Sequence, residues 1–138
     1  MRYLGLDLGS RTLGVAVSDK TGTIANSVKI IRHHEDYELL VREVCDLVRE
    51  YEIDGIVLGF PKNMNGSIGL KGELSIDFKQ KLEEVLSIPI ILQDERLTTK
   101  SATDMLISGN VSRKKRKEVI DSVAATIILQ SYLDRREK

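Results

Sequence analysis

Apolar and polar positions fall in blocks along the chain, and the block lengths predict its elements. Tyr3 to Leu8 is a short, mainly apolar run ending at Asp7-Leu8-Gly9. A second run, Leu13 to Ser18, follows Gly9-Ser10-Arg11-Thr12, and a third extended segment, Ile24 to Ile31, follows the turn signal Thr21-Gly22-Thr23. Runs of this length bounded by turn residues read as strands, and their short connections read as an antiparallel meander. Beyond Asp36 the period changes. Tyr37, Leu40, Val41, Val44, Val48 and Tyr51 recur at helical spacing, with Asp36 placed to cap the first turn. Ile53 to Gly59, centred on Ile56-Val57-Leu58, predicts a buried strand that Gly59-Phe60-Pro61 ends. Leu74, Phe78, Leu82 and Val85 mark a second helix, and Ile88 to Gln93 another strand, with Pro89 tolerated near its start. Thr98 or Thr99 caps a helix carrying Ala102, Met105 and Leu106, which Ser108-Gly109-Asn110 stops. A final helix around Glu118 to Leu133 presents Val119, Val123, Ile127 and Gln130 along related faces.

The resulting order, βββαβαβαα, predicts an α/β fold: a mixed central sheet covered by helices. No repeat, low-complexity stretch or linker divides the chain, so residues 1–138 read as one domain. Asn63 to Gly72 and Asn110 to Lys117 are the expected loops. At 41% hydrophobic and 4% aromatic, without Trp, the core should be aliphatic.

Charge changes the picture locally. The chain balances 21 basic against 21 acidic residues, which excludes a chain-wide positive field. From Arg96 to Lys138, however, 10 Lys/Arg stand against 5 Asp/Glu, a local basic surface of the kind that meets phosphate. Cys45 is the only cysteine, which excludes an intrachain disulfide and a Cys₄ or Cys₂His₂ zinc site. Neither a secretory signal nor a membrane span is expected, and the natural setting is the cytoplasm.

Three carboxylates carry the candidate chemistry. Asp7 lies near the end of the first strand, Glu95 follows the apolar run Ile90-Ile91-Leu92, and Asp121 opens the last helix. Strand ends and helix starts in such a fold converge on one edge. Oxygen ligands of this type suit one or two Mg²⁺ or Mn²⁺ ions. The bland alternatives are a favourable helix-dipole position for Asp121 and a surface ion pair of Glu95 with Arg96.

The sequence closely resembles the YqgF family. Four segments carry the resemblance: Gly5-Leu6-Asp7-Leu8-Gly9 with Gly14-Val15-Ala16-Val17-Ser18-Asp19; Gly59-Phe60-Pro61-Lys62-Asn63-Met64-Asn65-Gly66; Asp94-Glu95-Arg96-Leu97-Thr98-Thr99; and Lys117 to Leu133, containing Asp121-Ser122-Val123-Ala124-Ala125. They occur in family order and cover essentially the whole chain. The family is described both as Holliday junction resolvases and as nucleases that mature the 5′ end of small-subunit ribosomal RNA. The resemblance implies an RNase H-like fold with Asp7, Glu95 and Asp121 as its acidic, metal-binding triad. It further implies metal-dependent phosphodiester hydrolysis, with 16S precursor RNA as the first substrate and a four-way DNA junction as the alternative. Thr12 stands where the family often has a basic residue, and Phe60 where Leu is common. Neither change removes an implied ligand.

Around the triad, Arg11 offers a guanidinium fork to phosphate oxygens. Asn63 and Asn65 lie in a polar loop that either contacts nucleic-acid backbone or forms a plain Asn-Gly turn. Arg96 contacts substrate or orients Asp94. The run Arg113, Lys114, Lys115, Arg116 and Lys117 is the strongest basic cluster; beside Asp121 it reads as a phosphate grip rather than a solvated face. His33 and His34 read as surface loop positions. Two rivals stay open. Gly5-Leu6-Asp7-Leu8-Gly9-Ser10 resembles a phosphate turn of actin-like ATPases and sugar kinases, which build two such domains. A non-catalytic RNA-binding factor in transcription or ribosome assembly needs no triad. A ribosomal assembly partner is compatible with the RNA reading, and monomer and homodimer stay open.

Overall fold

The computed structural model describes residues 1–9, 11–60, 69–94 and 113–136, with side chains at all of these except 71, 94, 113–122 and 136. The elements are β1 (Tyr3–Leu8), β2 (Thr12–Ser18), β3 (Ala25–Arg32), α1 (Tyr37–Glu50), β4 (Gly55–Phe60), α2 (Leu70–Val85), β5 (Ile90–Asp94) and α3 (Arg113–Arg136). The strands form one sheet in the order β3-β2-β1-β4-β5. β1, β2 and β3 are the expected antiparallel meander, while β4 and β5 add in parallel beside β1. A register shift between Val15 and Ala16 marks an irregularity along the β2–β3 edge.

Alternation along β1 divides the core in two. Leu4, Leu6 and Leu8 face one side with Leu13, Val15, Ile56 and Leu58, where Leu40, Val44 and Leu47 of α1 and Phe78 and Leu82 of α2 cover them. Tyr3, Ala16, Ala25 and Val57 face the other side, where Ala125, Ile128, Leu129 and Leu133 of α3 cover them. Helices therefore lie on both faces, as expected. Asp36 caps α1 by accepting a hydrogen bond from the Leu39 amide at 3.1 Å.

Several boundaries differ from the sequence expectation. β3 begins at Ala25, because the Ile24 amide donates to an Asp19 carboxylate oxygen at 3.1 Å and leaves the Ile24 side chain exposed. Residues 113–117 are the first turns of α3 rather than a loop, and Leu70–Gly72 belong to α2. α3 buries Ala124, Ala125, Ile128, Leu129 and Leu133, one position away from the expected stripe of Val123, Ile127 and Gln130; Val123, Ile127 and Gln130 are half-buried. The sheet beneath presents Gly5 and Ala16, and the helix lies on them through Ala125 and Leu129, which turns that side of α3 inward. The helix expected around Ala102 to Leu106 and the loop residues 63–68 and 110–112 lie outside the described residues.

The β2–β3 turn makes a pH-dependent contribution. Asp19 accepts hydrogen bonds from the Thr21 hydroxyl at 2.5 Å, the Thr23 amide at 2.8 Å and the Ile24 amide at 3.1 Å. These bonds, that of Thr21 foremost, lower its pKa to about 2. The unfolded value is about 3.9. The folded carboxylate therefore binds its proton less readily than the unfolded one, and its stabilisation is present above about pH 4 and lost as pH falls through about 2. Asp19→Asn should be less stable than wild type at neutral pH, with the gap closing across that window. Urea midpoints measured from pH 7 to pH 2 check this; a gap that stays constant down to pH 2 would contradict the assignment.

Candidate active site

Asp7 is the penultimate residue of β1 and half-buried. It shares the α3 face of the sheet with Tyr3 and Gly5, because successive residues of a strand alternate sides. Its cross-strand partner on β2 is Gly14. On the other side Leu6 pairs with Leu58, so the next step of that register sets Gly59 beside Asp7; Gly59 in turn pairs with Gln93 of β5. The carboxylate is thus flanked on both neighbouring strands by residues without side chains. β1, β4 and β5 are parallel, so their C-terminal ends share one edge, where β5 closes on Asp94 opposite Phe60.

α3 crosses this face in intimate contact. A Cβ at Gly5 would lie 2.7 Å from Leu129 Cβ and 3.0 Å from the Ala125 carbonyl oxygen. The Tyr3 and Tyr132 rings meet edge to face at 5.5 Å between centroids. Moving up β1 from Tyr3 to Gly5 therefore moves back along α3, and the helix runs antiparallel to the strand. Two further strand residues rise about 6.6 Å and four helix residues about 6 Å. On that register the α3 backbone near Ala125 stands at the height of Asp7, with Asp121 about one turn further toward the helix N-terminus. Gln130 fixes the helix lengthwise: it accepts from the Ala25 amide and donates to the Thr23 carbonyl, each at 2.9 Å. Arg135 Nη1 reaches buried Gln93 Oε1 at 3.5 Å.

Behind Asp7 the chain turns through residues 9–12. The Gly9 amide donates to the Thr12 carbonyl at 2.7 Å, and a Cβ at Gly9 would stand 3.1 Å from Thr12 Oγ1, so a bare backbone suits the inside of this turn. Arg11 is exposed. His33 is not the surface residue expected from sequence. It is 2% exposed, its ring nitrogen Nε2 lies 3.2 Å from the Gly9 carbonyl oxygen, and its amide donates to the Arg11 carbonyl at 2.8 Å. Carrying the strand alternation two residues beyond buried Ile31 would have found it. His34 is exposed, as expected.

Of the triad, Asp7 is described with its side chain and Asp121 by its backbone in α3; Glu95 lies outside the described residues. Arg113, Lys114, Lys115, Arg116 and Lys117 occupy the start of the same helix, within two turns of Asp121. Asn63, Asn65 and Arg96 also lie outside the described residues. Among the described residues no three metal-ligating side chains are grouped, and no helix is long and apolar enough to cross a membrane.

The sheet order and the helices on both faces define an RNase H-like fold. The same architecture occurs in Thermus thermophilus RuvC in complex with a Holliday junction substrate: the TM-score is 0.63 over 99% of this chain and 96% of that one, at 12% identity. A hexokinase of the ROK class from the same organism matches 74% of this chain but 38% of its own, with a TM-score of 0.50 and 22% identity, so the likeness there is one of fold. The chain belongs to the RuvX family, described as Holliday junction resolvase, which it matches over residues 1–135. A Bacillus licheniformis relative, 55% identical over 137 residues and 97% of each chain, carries the provisional name pre-16S rRNA nuclease. A Bacillus subtilis relative of the same name is 53% identical over 137 residues, covering 97% of this chain and 98% of its own. The YqgF resemblance and the nuclease class read from the sequence are borne out.

Proposed function

We propose that this chain is one cytoplasmic nuclease domain, residues 1–138, that cuts the 5′ extension of 16S ribosomal RNA precursor with a divalent metal ion. The observation that supports the substrate most directly is its 55% identity, over nearly all of both chains, to a relative named for pre-16S RNA. For the site, the reading is supported by the antiparallel run of α3 along β1, with the Asp121 backbone about one helical turn beyond the level of Asp7.

The residues fit a hard divalent ion. Carboxylate oxygens are its preferred donors, and the glycines on both sides of Asp7 put no side chain beside it on the neighbouring strands. Asp7, Glu95 and Asp121 would hold Mg²⁺ or Mn²⁺. When bound, the metal supplies an activated water and neutralises charge on the phosphate under attack. The protein's own contribution is placement. Arg11, on the turn beyond Asp7, binds phosphate oxygens through its guanidinium fork. Arg113 to Lys117 add positive charge near the helix N-terminus, where the helix dipole also favours an anion. Asn63, Asn65 and Arg96 complete the backbone contacts. These contacts fix the strand to be cut and carry no base preference.

A four-way DNA junction is the second reading, favoured by the RuvX family description and the RuvC complex that shares the fold. Incubating the protein with 5′-extended precursor RNA and with a four-way junction, each in Mg²⁺ or Mn²⁺ and again with EDTA, separates the two. Metal-dependent cutting of the RNA near the mature end is expected, with the junction left intact. Cutting of the junction alone would transfer the function to the second reading. Cutting that survives EDTA would remove the metal, and RNA binding without cutting would favour a non-catalytic assembly factor.

A further inference from the structure

We propose that His33 is a positioning residue of the nuclease site, holding the β1–β2 turn through the Gly9 carbonyl. The imidazole is buried, and both its nitrogens are engaged. Nδ1 accepts the Glu35 amide hydrogen at 3.1 Å, so the ring proton resides on Nε2 and is donated to the Gly9 carbonyl at 3.2 Å. Glu35 adopts φ 62°, a left-handed conformation uncommon for a side-chain-bearing residue, and from there its amide meets Nδ1. The Tyr37 ring packs against the imidazole at 5.7 Å between centroids. The His33 amide also donates to the Arg11 carbonyl at 2.8 Å. One residue therefore grips both sides of the turn, at Gly9 by its ring and at Arg11 by its backbone.

That turn leaves β1 two residues beyond Asp7 and carries Arg11. An apolar side chain would fill the same buried volume without holding the Gly9 carbonyl. A displacement of about 1 Å at a reacting geometry costs on the order of 100-fold in rate, so a clamp this close to Asp7 sets catalytic efficiency without touching substrate. The proposal rests on the reading of Asp7 and Arg11 as site residues.

Two variants separate the two ring contacts. In His33→Gln the side-chain amide nitrogen reaches about as far as Nε2 and donates to the Gly9 carbonyl. In His33→Asn the side-chain oxygen replaces Nδ1 toward Glu35, but the side chain stops short of Gly9. His33→Ala removes both. Two readouts on the full chain are compared: amide hydrogen exchange at Gly9, without metal or substrate, and kcat and KM on precursor RNA. His33→Gln should keep slow exchange and a kcat within about threefold of wild type, whereas Asn and Ala should speed Gly9 exchange about tenfold or more and lower kcat about 10- to 100-fold at similar KM. Equal activity of His33→Asn and wild type, equal impairment of Gln and Ala, or unchanged Gly9 exchange in Ala would each overturn the proposal. If wild type cuts no RNA, the functional reading fails while the exchange data still decide whether His33 holds Gly9.

Discussion

Replacing Asp7 by Asn is expected to lower RNA cleavage by more than about 100-fold while leaving the fold intact. Loss of a group that merely supports a metal ligand costs about 10- to 100-fold, so loss of a ligand's own charge should exceed that range. Asn has nearly the shape of Asp, and Asp7 is half-buried between strand positions held by Gly14 and Gly59, so the change introduces no clash. Single-turnover cleavage of end-labelled precursor RNA across a Mn²⁺ titration measures the effect on the chemical step. RNA affinity should change little, because Arg11 and Arg113 to Lys117 are retained, and the urea midpoint should match wild type. A folded Asp7→Asn protein that cuts within tenfold of wild type would take Asp7 out of the site.

Gly5→Ala carries the largest expected loss of stability among single-methyl changes. The added Cβ would stand 2.7 Å from Leu129 Cβ and 3.0 Å from the Ala125 carbonyl oxygen. Neither is the end of a flexible side chain, so no rotamer change relieves the contact and α3 itself must move. Overpacking of this kind costs about 1–3 kcal/mol. The displaced helix also carries Asp121, so cleavage should fall in protein that is still folded under assay conditions. Urea denaturation with the m-value held constant checks the first effect. A wild-type midpoint in Gly5→Ala would overturn the close seating of α3 on β1.

Much of this arrangement was readable in the sequence, because local patterns reflect local physics. The alternation of Leu4, Leu6 and Leu8 specifies β1 and puts Asp7 on the opposite face. Asp36 before Tyr37 specifies where α1 starts. What the sequence left open depended on partners far along the chain. The order of β4 and β5 beside β1 is a matter of crossover pairing that no short window contains. The buried stripe of α3, Ala124, Ala125, Ile128, Leu129 and Leu133, is set by how the helix lies on the sheet at Gly5, more than 100 positions earlier, and no local period reveals it. The burial of His33 follows from the β3 alternation, but its ring partner, the Gly9 carbonyl 24 residues away, lies outside any local pattern. The proposed acidic triad rests on motif resemblance, since three scattered carboxylates have no diagnostic spacing of their own.

The two chain ends meet at the sheet's second face: β1 opens the fold and α3 covers it, with Gln130 bonded to the Ala25 amide across 105 residues. Contacts of such long sequence separation form late, since the loop between them must close first. During synthesis, β1 emerges early and waits for α3, with Tyr3, Ala16 and Val57 exposed in the interval. An interrupted chain lacking α3 would present an apolar sheet face prone to aggregation. Under the proposed assignment, Asp7 and Asp121 come together only after translation has delivered both β1 and α3.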